Sequence, residues 1–326
     1  MKEDALKEKI LGFFRRNTGS YISGEDISNA LGVSRAYVWK YISKLREDGY
    51  VIDAVPHLGY NLRSAPDKLF GYELKSGLKT RTMGKMAIFH HESIGSTNDA
   101  AYELAEAGEP EGTVVVAEAQ SSGKGRIGRK WLSPKGAGIY MSIILRPDVE
   151  TDEIPTVTLV AAKSIADAIN DLNKMDAGIK WPNDILIKGK KVCGILTEVK
   201  AQPDRVDFLV LGFGVNVNTP AGKLPEEGTS LKNVSGSSVD RAQLVRDILE
   251  KFEVDYLRFK KEGFNALRDE CKRLSLVLEK TVRVKEHHRV MKGKAVDIDE
   301  KGALMIRDEE GIVRRVFSGD VVMCRR

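Results

Sequence analysis

The first fifty residues carry apolar positions at the spacing of amphipathic helices. Residues 5–16 place leucine, isoleucine and phenylalanine on one helical face. Ser23 is positioned to cap a second helix that Gly32 ends, because glycine adopts the left-handed conformation without penalty, and Ser34 is positioned to cap a third. Two short extended runs separated by proline and glycine follow and predict a hairpin. These elements together predict a winged helix-turn-helix over residues 1–64.

The third predicted helix carries basic and aromatic side chains away from its apolar stripe. Side chains of these types contact phosphates and base edges when a helix lies in the major groove of DNA. The candidate DNA-binding residues are Ser34, Arg35, Tyr37, Lys40 and Lys44. Basic and acidic residues are nearly balanced in this domain, so charge leaves open the alternative of a small helical domain that binds protein.

Beyond residue 64 the pattern changes twice. Residues 65–84 begin with turn residues and are predicted to form a linker. Residues 85–275 alternate β-branched strand runs with periodic helical segments, which predicts an α+β domain with a mixed β-sheet and helices covering one face. Residues 276–326 contain short strand runs with glycines in or between them, which predicts a small β-barrel.

The overall composition constrains partners and compartment only loosely. The 326 residues carry a formal net charge of +5, which permits nucleic acid or a nucleotide as a partner without requiring either. Three cysteines without a CxxC pair favour a reducing, cytoplasmic setting. The charged N-terminus predicts no signal peptide, and no apolar run reaches the ~18 residues of a membrane span. We therefore expect no membrane partner.

A glycine-rich basic segment, Gly123–Trp131 (GKGRIGRKW), is the densest chemical feature of the chain. Its first residues match the dinucleotide fingerprint GxGxxG, but that fingerprint requires a helix directly afterwards. Pro134 and Gly136 disfavour such a helix. A Walker A loop is also excluded, because Arg129 and Lys130 occupy the positions of its lysine and its serine or threonine.

The residue types of this segment nevertheless suit an anionic ligand. Its glycines let the backbone turn sharply and direct N–H groups at an anion. Lys124, Arg126 and Arg129 add positive charge, and arginine binds carboxylates and phosphates with a planar fork. The segment therefore suits a substrate that presents a carboxylate and a triphosphate. A solvated basic surface loop and a second DNA contact are the alternatives.

A second cluster, Lys180–Asp184 (KWPND), precedes a predicted strand. Pro182 restricts the backbone and disfavours helix at Trp181, so we expect an ordered turn. The turn brings a lysine, an amide and a carboxylate together, and a lysine held there stabilises negative charge that develops on a phosphate. The alternative is a β-turn with a packed tryptophan.

These segments together resemble biotin protein ligases over roughly residues 85–326, and the winged helix extends the resemblance to the bifunctional branch, the biotin operon repressors. The resemblance rests on the order and spacing of Ser96-Thr97-Asn98, Gln120, Gly123–Trp131, Lys180–Asp184, Gly194–Glu198 and Gly212–Asn218. One departure is Lys124, where the family usually has arginine. The charge is kept there, but the planar fork is lost.

The resemblance implies a class II synthetase-like catalytic domain followed by an SH3-like barrel. It implies biotin and ATP as substrates, with Mg²⁺ accompanying ATP, and biotinyl-5′-adenylate as the intermediate. Biotin then passes to a lysine of the carrier domain of a biotin-dependent carboxylase. The resemblance also implies that the adenylate-loaded chain forms a homodimer, binds operator DNA and represses biotin genes.

The same resemblance assigns roles to individual residues. Lys180 and Arg126 are the predicted catalytic residues, which neutralise the two anions that must meet. The predicted biotin-binding residues are Ser96, Thr97, Asn98, Gln120, Lys124, Gly125, Arg126 and Lys180. The predicted adenylate-binding residues are Arg129, Trp131, Asn183 and Asn216. No dedicated metal site is expected, because the pairs His90-His91 and His287-His288 lack ligand spacing and are expected at the surface.

Three other functions stay open. A lipoate-type ligase shares the general fold and chemistry, although the strings GKGRIGRKW and KWPND are of the biotin type. A regulatory DNA-binding protein without ligase activity is the second, and the presence of Lys180, Arg126 and Asn183 argues against it. The third is a ligase whose winged helix no longer represses transcription.

Overall fold

The computed structural model describes residues 2–172, 175–202, 205–286 and 289–324. The chain divides into two compact units. Unit 1 comprises the chain through Lys79 together with Asp240–Arg246, and unit 2 comprises Thr80–Val239 and the chain from Asp247 onward. The division after Lys79 falls inside the predicted linker.

Unit 1 consists of short helices and a hairpin, as the helical spacing and the turn residues predict. In chain order its elements are α1 (Lys2–Arg16), α2 (Gly24–Leu31), α3 (Arg35–Glu47), β1 (Val51–Val55), β2 (Gly59–Ser64) and α4 (Gly71–Lys75). Ser23 caps α2 by accepting a hydrogen bond from Asp26 N at 2.9 Å, and Gly32 ends the helix with a φ of 63°. β1 and β2 pair antiparallel, and Ile27 and Ile42 are fully buried in the core.

Two buried arginines explain why Asp240–Arg246 belongs to unit 1. Arg241 Nε donates a hydrogen bond to Asp67 Oδ1 at 2.7 Å, and Arg246 Nη1 lies 3.6 Å from Glu73 Oε1. Glu73 is itself buried. Because a buried charge is costly unless it is paired, these ion pairs hold the segment to unit 1.

Unit 2 is built on a seven-stranded sheet whose order is β3-β4-β5-β9-β8-β7-β6. Its strands are β3 (Ile88–His91), β4 (Val114–Ala117), β5 (Gly138–Leu145), β6 (Ala177–Lys180), β7 (Asp184–Ile187), β8 (Lys190–Gln202) and β9 (Arg205–Asn216). β3 and β4 pair parallel and all other neighbours pair antiparallel, so the predicted mixed sheet is confirmed. The pattern of the sequence does not predict the edge strands β3 and β6, because each contains only one β-branched residue.

The helices of this part of the chain do not all cover one face of the sheet, so that expectation is wrong. They are α5 (Thr97–Glu106), α6 (Ile154–Asn170), α7 (Leu231–Ser235), α8 (Arg241–Glu262) and α9 (Asn265–Arg273). Asn98 of α5 donates to Glu198 at 2.7 Å, whereas Thr158 of α6 lies 3.3 Å from Thr197. Neighbouring residues of a strand point to opposite faces, so α5 and α6 lie on opposite sides of the sheet.

The C-terminal strands of unit 2 form a five-stranded antiparallel sheet in the order β13-β12-β11-β10-β14. They are β10 (Thr281–Glu286), β11 (Arg289–Ile298), β12 (Leu304–Arg307), β13 (Val313–Val316) and β14 (Asp320–Met323). These strands coincide with the short runs that predict a small barrel. Val282, Ala295 and Ile306 fill the core.

Of the two histidine pairs that the sequence analysis expects at the surface, the structure describes only His90-His91. His90 and His91 lie in β3 and are half-buried, so the expectation of surface residues is wrong for them. His90 Nε2 lies 3.6 Å from the buried carboxylate of Glu118, a contact that the isolated pair of histidines does not predict. His287 and His288 lie outside the described residues. Across the described ranges, no helix is long and apolar enough to cross a membrane.

Candidate functional site

A row of buried polar side chains lines a first cavity beside the start of α5. Gln120 Oε1 accepts a hydrogen bond from Thr97 N at 2.8 Å, and Gln120 Nε2 donates to Ser133 Oγ at 2.9 Å. Ser142 Oγ lies 2.8 Å from Thr97 Oγ1 and 2.7 Å from Asn98 Oδ1. These bonds hold the amide and hydroxyl groups in fixed orientations, which suits recognition of a small polar ring.

Two glycines of β9 make this arrangement sterically possible. A Cβ atom at Gly212 would lie 1.7 Å from Asn98 Oδ1, and one at Gly214 would lie 2.2 Å from Trp131 Nε1. Any side chain at either position would therefore displace Asn98 or the indole of Trp131. The string GFGVNVN thus lets Asn98 and Trp131 lie directly against its backbone, and it also supplies the side chain of Asn216.

The glycine segment Gly123–Trp131 closes on itself as a short loop. Trp131 N donates to Gly123 O at 2.8 Å, and Gly125 N donates to Arg129 O at 2.7 Å. A single 3₁₀ turn lies between them, and no α-helix follows, in agreement with the rejection of the dinucleotide fingerprint. Ile127 at the tip is exposed and has a left-handed φ of 56°, which is unusual for a β-branched residue.

Three cations of this loop, Lys124, Arg126 and Arg129, are held by oxygen groups on other elements. Arg126 Nη1 donates to Asn183 Oδ1 at 3.0 Å, and burial lowers the pKa of the Arg126 guanidinium, although it stays protonated at neutral pH. Arg129 forms an ion pair with Asp320 of β14. Lys124 forms ion pairs with the carboxylates of Asp99 and Glu198.

Lys124 is an anchor between the loop and the rim of the first cavity. Its ammonium group pairs with Asp99 of α5 and lies 3.4 Å from Glu198 Oε1 of β8. The Asp99 hydrogen bond is the main cause of the raised pKa of Lys124. The lysine therefore connects the loop to α5 and to β8.

The Lys180–Asp184 turn connects β6 to β7 and is deeply packed. Trp181 is 1% exposed, and its Nε1 donates to Gly302 O at 2.9 Å. Asn183 Nδ2 donates to Ile195 O at 2.7 Å. The packed tryptophan that the simpler interpretation predicts is present, and Lys180, Asn183 and Asp184 nevertheless open onto a cavity.

Two adjoining cavities bring the predicted site residues together. The first is lined by Ser96, Thr97, Asn98, Gln120, Lys124, Gly125, Arg126, Trp131, Asn183 and Lys191, with residues of β8 and β9. The second is lined by Arg126, Arg129, Trp131, Lys180, Asn183, Asp184, Lys191, Asn216, Glu227 and Asp320, among others. The cavities share Gly125, Arg126, Trp131, Asn183 and Lys191.

The two cavities divide the predicted site residues almost as the sequence predicts, with Lys180 as the exception. All the predicted biotin-binding residues line the first cavity except Lys180, which lines only the second. The four predicted adenylate-binding residues all line the second cavity. The glycine loop and the Lys180–Asp184 turn therefore open onto a common space, although the roles of the individual residues stay predictions.

Lys191 is a site residue that the sequence patterns do not predict. It lines both cavities, its Nζ lies 2.6 Å from Asp184 Oδ1, and it stands 5.4 Å from the centre of the Trp131 ring. Its position in the β7–β8 hairpin, between the strings KWPND and GILTE, is the signal that could have identified it. Asp320 was also missed, because nothing in the C-terminal strands marks it in sequence.

The candidate DNA-binding residues lie together in unit 1. Arg35, Tyr37 and Lys40 are exposed on α3, and Arg35 shares a groove with Val55–His57 of the hairpin. Lys44 is half-buried over the ring of Tyr41. Ser34 Oγ accepts from the Tyr37 amide at 3.3 Å, so its visible role is to cap the helix.

Comparison with known proteins identifies three matching families along the chain. Residues 91–216 match the biotin/lipoate A/B protein ligase family, residues 7–61 match an HTH domain, and residues 277–323 match the biotin protein ligase C-terminal domain. These matches cover, in order, the site, the helix-turn-helix and the C-terminal sheet described above.

Similar full-length proteins agree with these matches. The bifunctional ligase/repressor BirA of Bacillus subtilis (strain 168) is 40% identical over 320 residues, which cover 97% of this chain and 98% of that protein. The biotin–[acetyl-CoA-carboxylase] ligase of Mycobacterium tuberculosis is 34% identical over 81% of this chain and 95% of that protein. The structure of Aquifex aeolicus biotin protein ligase in complex with biotin and ATP superposes with a TM-score of 0.64 at 30% identity, covering 74% of this chain and all of that one. The chain belongs to the biotin protein ligase family.

Proposed function

We propose that the chain joins biotin to AMP, transfers biotin to a carboxylase carrier domain, and represses biotin genes when it holds biotinyl-5′-adenylate. The observation that carries the ligase part is the pair of adjoining cavities that share Arg126, Asn183 and Lys191. A carboxylate bound in one cavity and a triphosphate bound in the other meet beside two cations. Such a junction lowers the repulsion between two anionic reactants.

The first cavity suits the ureido ring and the side chain of biotin. Thr97, Asn98 and Gln120 offer hydrogen-bonding groups that are already oriented by their neighbours. A ureido group has a carbonyl and two N–H groups, and burial without partners would be costly. Biotin placed with its ring at this end extends its carboxylate toward Arg126 and Lys191.

The second cavity suits ATP with Mg²⁺. Arg129, Lys180 and Asn216 offer cationic and amide groups to phosphates and ribose. The carboxylates of Asp184 and Asp320, which pair with Lys191 and Arg129, line the same cavity, and a hydrated Mg²⁺ that accompanies ATP would lie near them. Within the described ranges, no group of three or more histidine, cysteine or acidic residues forms a metal cage. Mg²⁺ accompanying ATP would neutralise part of the phosphate charge beside Arg129 and Lys180.

The reaction proceeds in two steps. A carboxylate oxygen of biotin attacks the α-phosphorus of ATP, the bond to the β-phosphate bridging oxygen breaks, and pyrophosphate leaves. The neutral ε-amine of an acceptor lysine, having lost its proton to solvent, then attacks the carbonyl carbon of the mixed anhydride. The carbon–oxygen bond to AMP breaks, AMP leaves, and the attacking nitrogen gives its second proton to solvent as the amide forms. Arg126, Lys180 and Lys191 stabilise the negative charge that develops around phosphorus in the first step.

The repressor function is supported by the HTH match and by the exposed basic face of α3. We propose that the glycine loop orders over the adenylate and that this favours a homodimer joined at sheet edges. Two copies of α3 would then contact two half-sites of one operator. Free chain without adenylate is expected to bind the same DNA more weakly.

The decisive experiment incubates the chain with ATP, Mg²⁺, biotin and a carboxylase carrier domain. Mass spectrometry is expected to find one biotin-sized increment on the carrier, and chelation of Mg²⁺ is expected to abolish it. Lipoate in place of biotin serves as the matched control. An increment with lipoate and none with biotin would reject the biotin assignment. Gel shifts and sedimentation with and without biotinyl-5′-adenylate test the repressor and the dimer.

A further inference from the structure

Trp39 is an exposed aromatic residue that none of the sequence patterns singles out. It lies on α3, and its side chain is 61% exposed. Within the described part of unit 1, the indole makes no hydrogen bond, ring contact or cation contact. By contrast, the ring centre of Tyr37 on the same helix lies 5.6 Å from that of Tyr41, and Lys40 Nζ lies 5.8 Å from the Tyr37 ring. Tyr37 is therefore held in place, whereas the indole of Trp39 is not.

The neighbours of Trp39 on the outward face of α3 leave the indole free to project. Residues three and four positions apart share one helical face, so Arg35, Ala36 and Ser43 are its neighbours along the helix. Ala36 and Ser43 are small and do not cover the ring. Trp39 therefore projects from the exposed surface of α3.

The charge around Trp39 is that of a DNA-binding surface. Arg35 precedes it by one turn and Lys40 follows it directly, and both side chains are exposed. Arg35 also opens onto the groove between α3 and the hairpin, where Glu25 is the acidic residue that lines the groove. Cations beside an exposed helix suit contacts with phosphates on both sides of a major groove.

We propose that Trp39 contacts the 5-methyl group of a thymine in the major groove and so selects a base of the operator. The thymine methyl is the apolar group that base pairs present in that groove, and Trp39, at 61% exposed, protrudes further from α3 than Tyr37, at 48%. Arg35 and Lys40 position the helix through phosphates without distinguishing bases. This inference rests on the proposed repressor function and adds to it a residue that determines sequence preference.

The experiment begins by selecting duplexes from a randomised library with the full chain in the presence of biotin, ATP and Mg²⁺. Each thymine of the selected duplex is then replaced by uracil, which removes the methyl group alone. Uracil at one thymine per half-site is expected to weaken binding by the wild-type chain about tenfold. Trp39→Ala is expected to bind the thymine duplex about tenfold more weakly and to be indifferent to that uracil. Trp39→Phe is expected to keep part of the discrimination.

The controls separate this contact from a general loss of structure. Trp39→Ala is expected to keep the wild-type rate of biotin transfer and the wild-type unfolding temperature. Val254→Ala removes an apolar side chain of similar exposure, 67%, from α8 and is expected to leave DNA binding unchanged. The uracil experiment changes only the DNA, so its result does not depend on whether any variant of the protein folds.

Three outcomes overturn the inference. If wild-type chain tolerates uracil at every position, or if Trp39→Ala binds the selected duplex as tightly as wild type, Trp39 does not read thymine, and the repressor function stands. If the wild-type chain selects no sequence at all, the repressor function fails and the inference fails with it.

Discussion

The Lys180–Asp184 turn and the Gly123–Trp131 loop face the same cavities but are held in different ways. The turn is anchored by a buried indole and by hydrogen bonds to the backbone of other strands, with Trp181 only 1% exposed. The loop is anchored largely by ion pairs of exposed side chains, such as Lys124 with Asp99 and Arg129 with Asp320.

The Lys180–Asp184 turn is therefore called the wall of the site, because it is fixed by burial. The Gly123–Trp131 loop is called its cover, because its anchors are exchangeable. An exposed ion pair contributes only about 0.2–1 kcal/mol, so substrates that offer their own charges can replace it. A buried tryptophan contributes several times more and does not exchange with a ligand. The chain thus combines a tightly packed turn with a loop whose anchoring ion pairs are weak enough for charged substrates to replace.

The largest expected effect is a loss of stability when the buried indole of Trp181 is removed from the wall. Trp181→Ala is expected to destabilise unit 2 by about 3–5 kcal/mol, because it leaves a cavity and an unpaired carbonyl at Gly302. Urea unfolding measures the loss. Trp131→Ala is the matched control in the loop, and we expect a much smaller loss because that residue is only half-buried. Equal losses would contradict the distinction between wall and cover.

Lys191→Ala is expected to reduce adenylate formation about 10²–10³-fold, because its ammonium lies where the two cavities meet. ATP–pyrophosphate exchange measures this step. Lys180→Ala is also expected to reduce adenylate formation, since Lys180 lines the second cavity, where charge develops around phosphorus. Lys190→Ala removes an exposed neighbouring lysine and should leave exchange unchanged. A normal rate for Lys191→Ala would remove it from the mechanism.

Asn183→Ala tests the contact between wall and cover. It removes the acceptor of Arg126 at 3.0 Å and the donor to Ile195 O at 2.7 Å. An unsatisfied buried carbonyl costs about 1–3 kcal/mol, and we expect that loss of stability together with weaker biotin binding. Calorimetry of unfolding and of biotin binding measures both. Weaker stability with unchanged biotin affinity would mean that Asn183 supports only the wall.

The smallest expected effect is on the rate at which biotinyl-5′-adenylate leaves, when an ion pair of the glycine loop is removed. Lys124→Met is expected to speed release of biotinyl-5′-adenylate about two- to fivefold, because it removes the ion pairs to Asp99 and Glu198. Stopped-flow release of the adenylate measures the rate. High salt should produce the same acceleration in wild type and little in the variant. Asp99→Asn removes one of the two carboxylate partners of Lys124 and should give a smaller acceleration, and an unchanged release rate would reject that ion pair as a cause.

The sequence by itself determined the local elements and the chemical type of the site. Ser23, Gly32 and Ser34 predict the helix limits of unit 1, because caps and left-handed glycines act within one helical turn. The glycine loop and the Lys180–Asp184 turn likewise identify an anion-binding site through the residue types that they contain.

Only the tertiary structure decided which groups meet across the chain. It placed α5 and α6 on opposite faces of the sheet, assigned Lys191 to both cavities and Lys180 to one, and joined Arg129 to Asp320 over 191 positions. These outcomes depend on strand order and on side-chain direction after pairing. A short-range pattern of hydrophobic and polar residues records which residues are buried, but not which distant strand lies beside them.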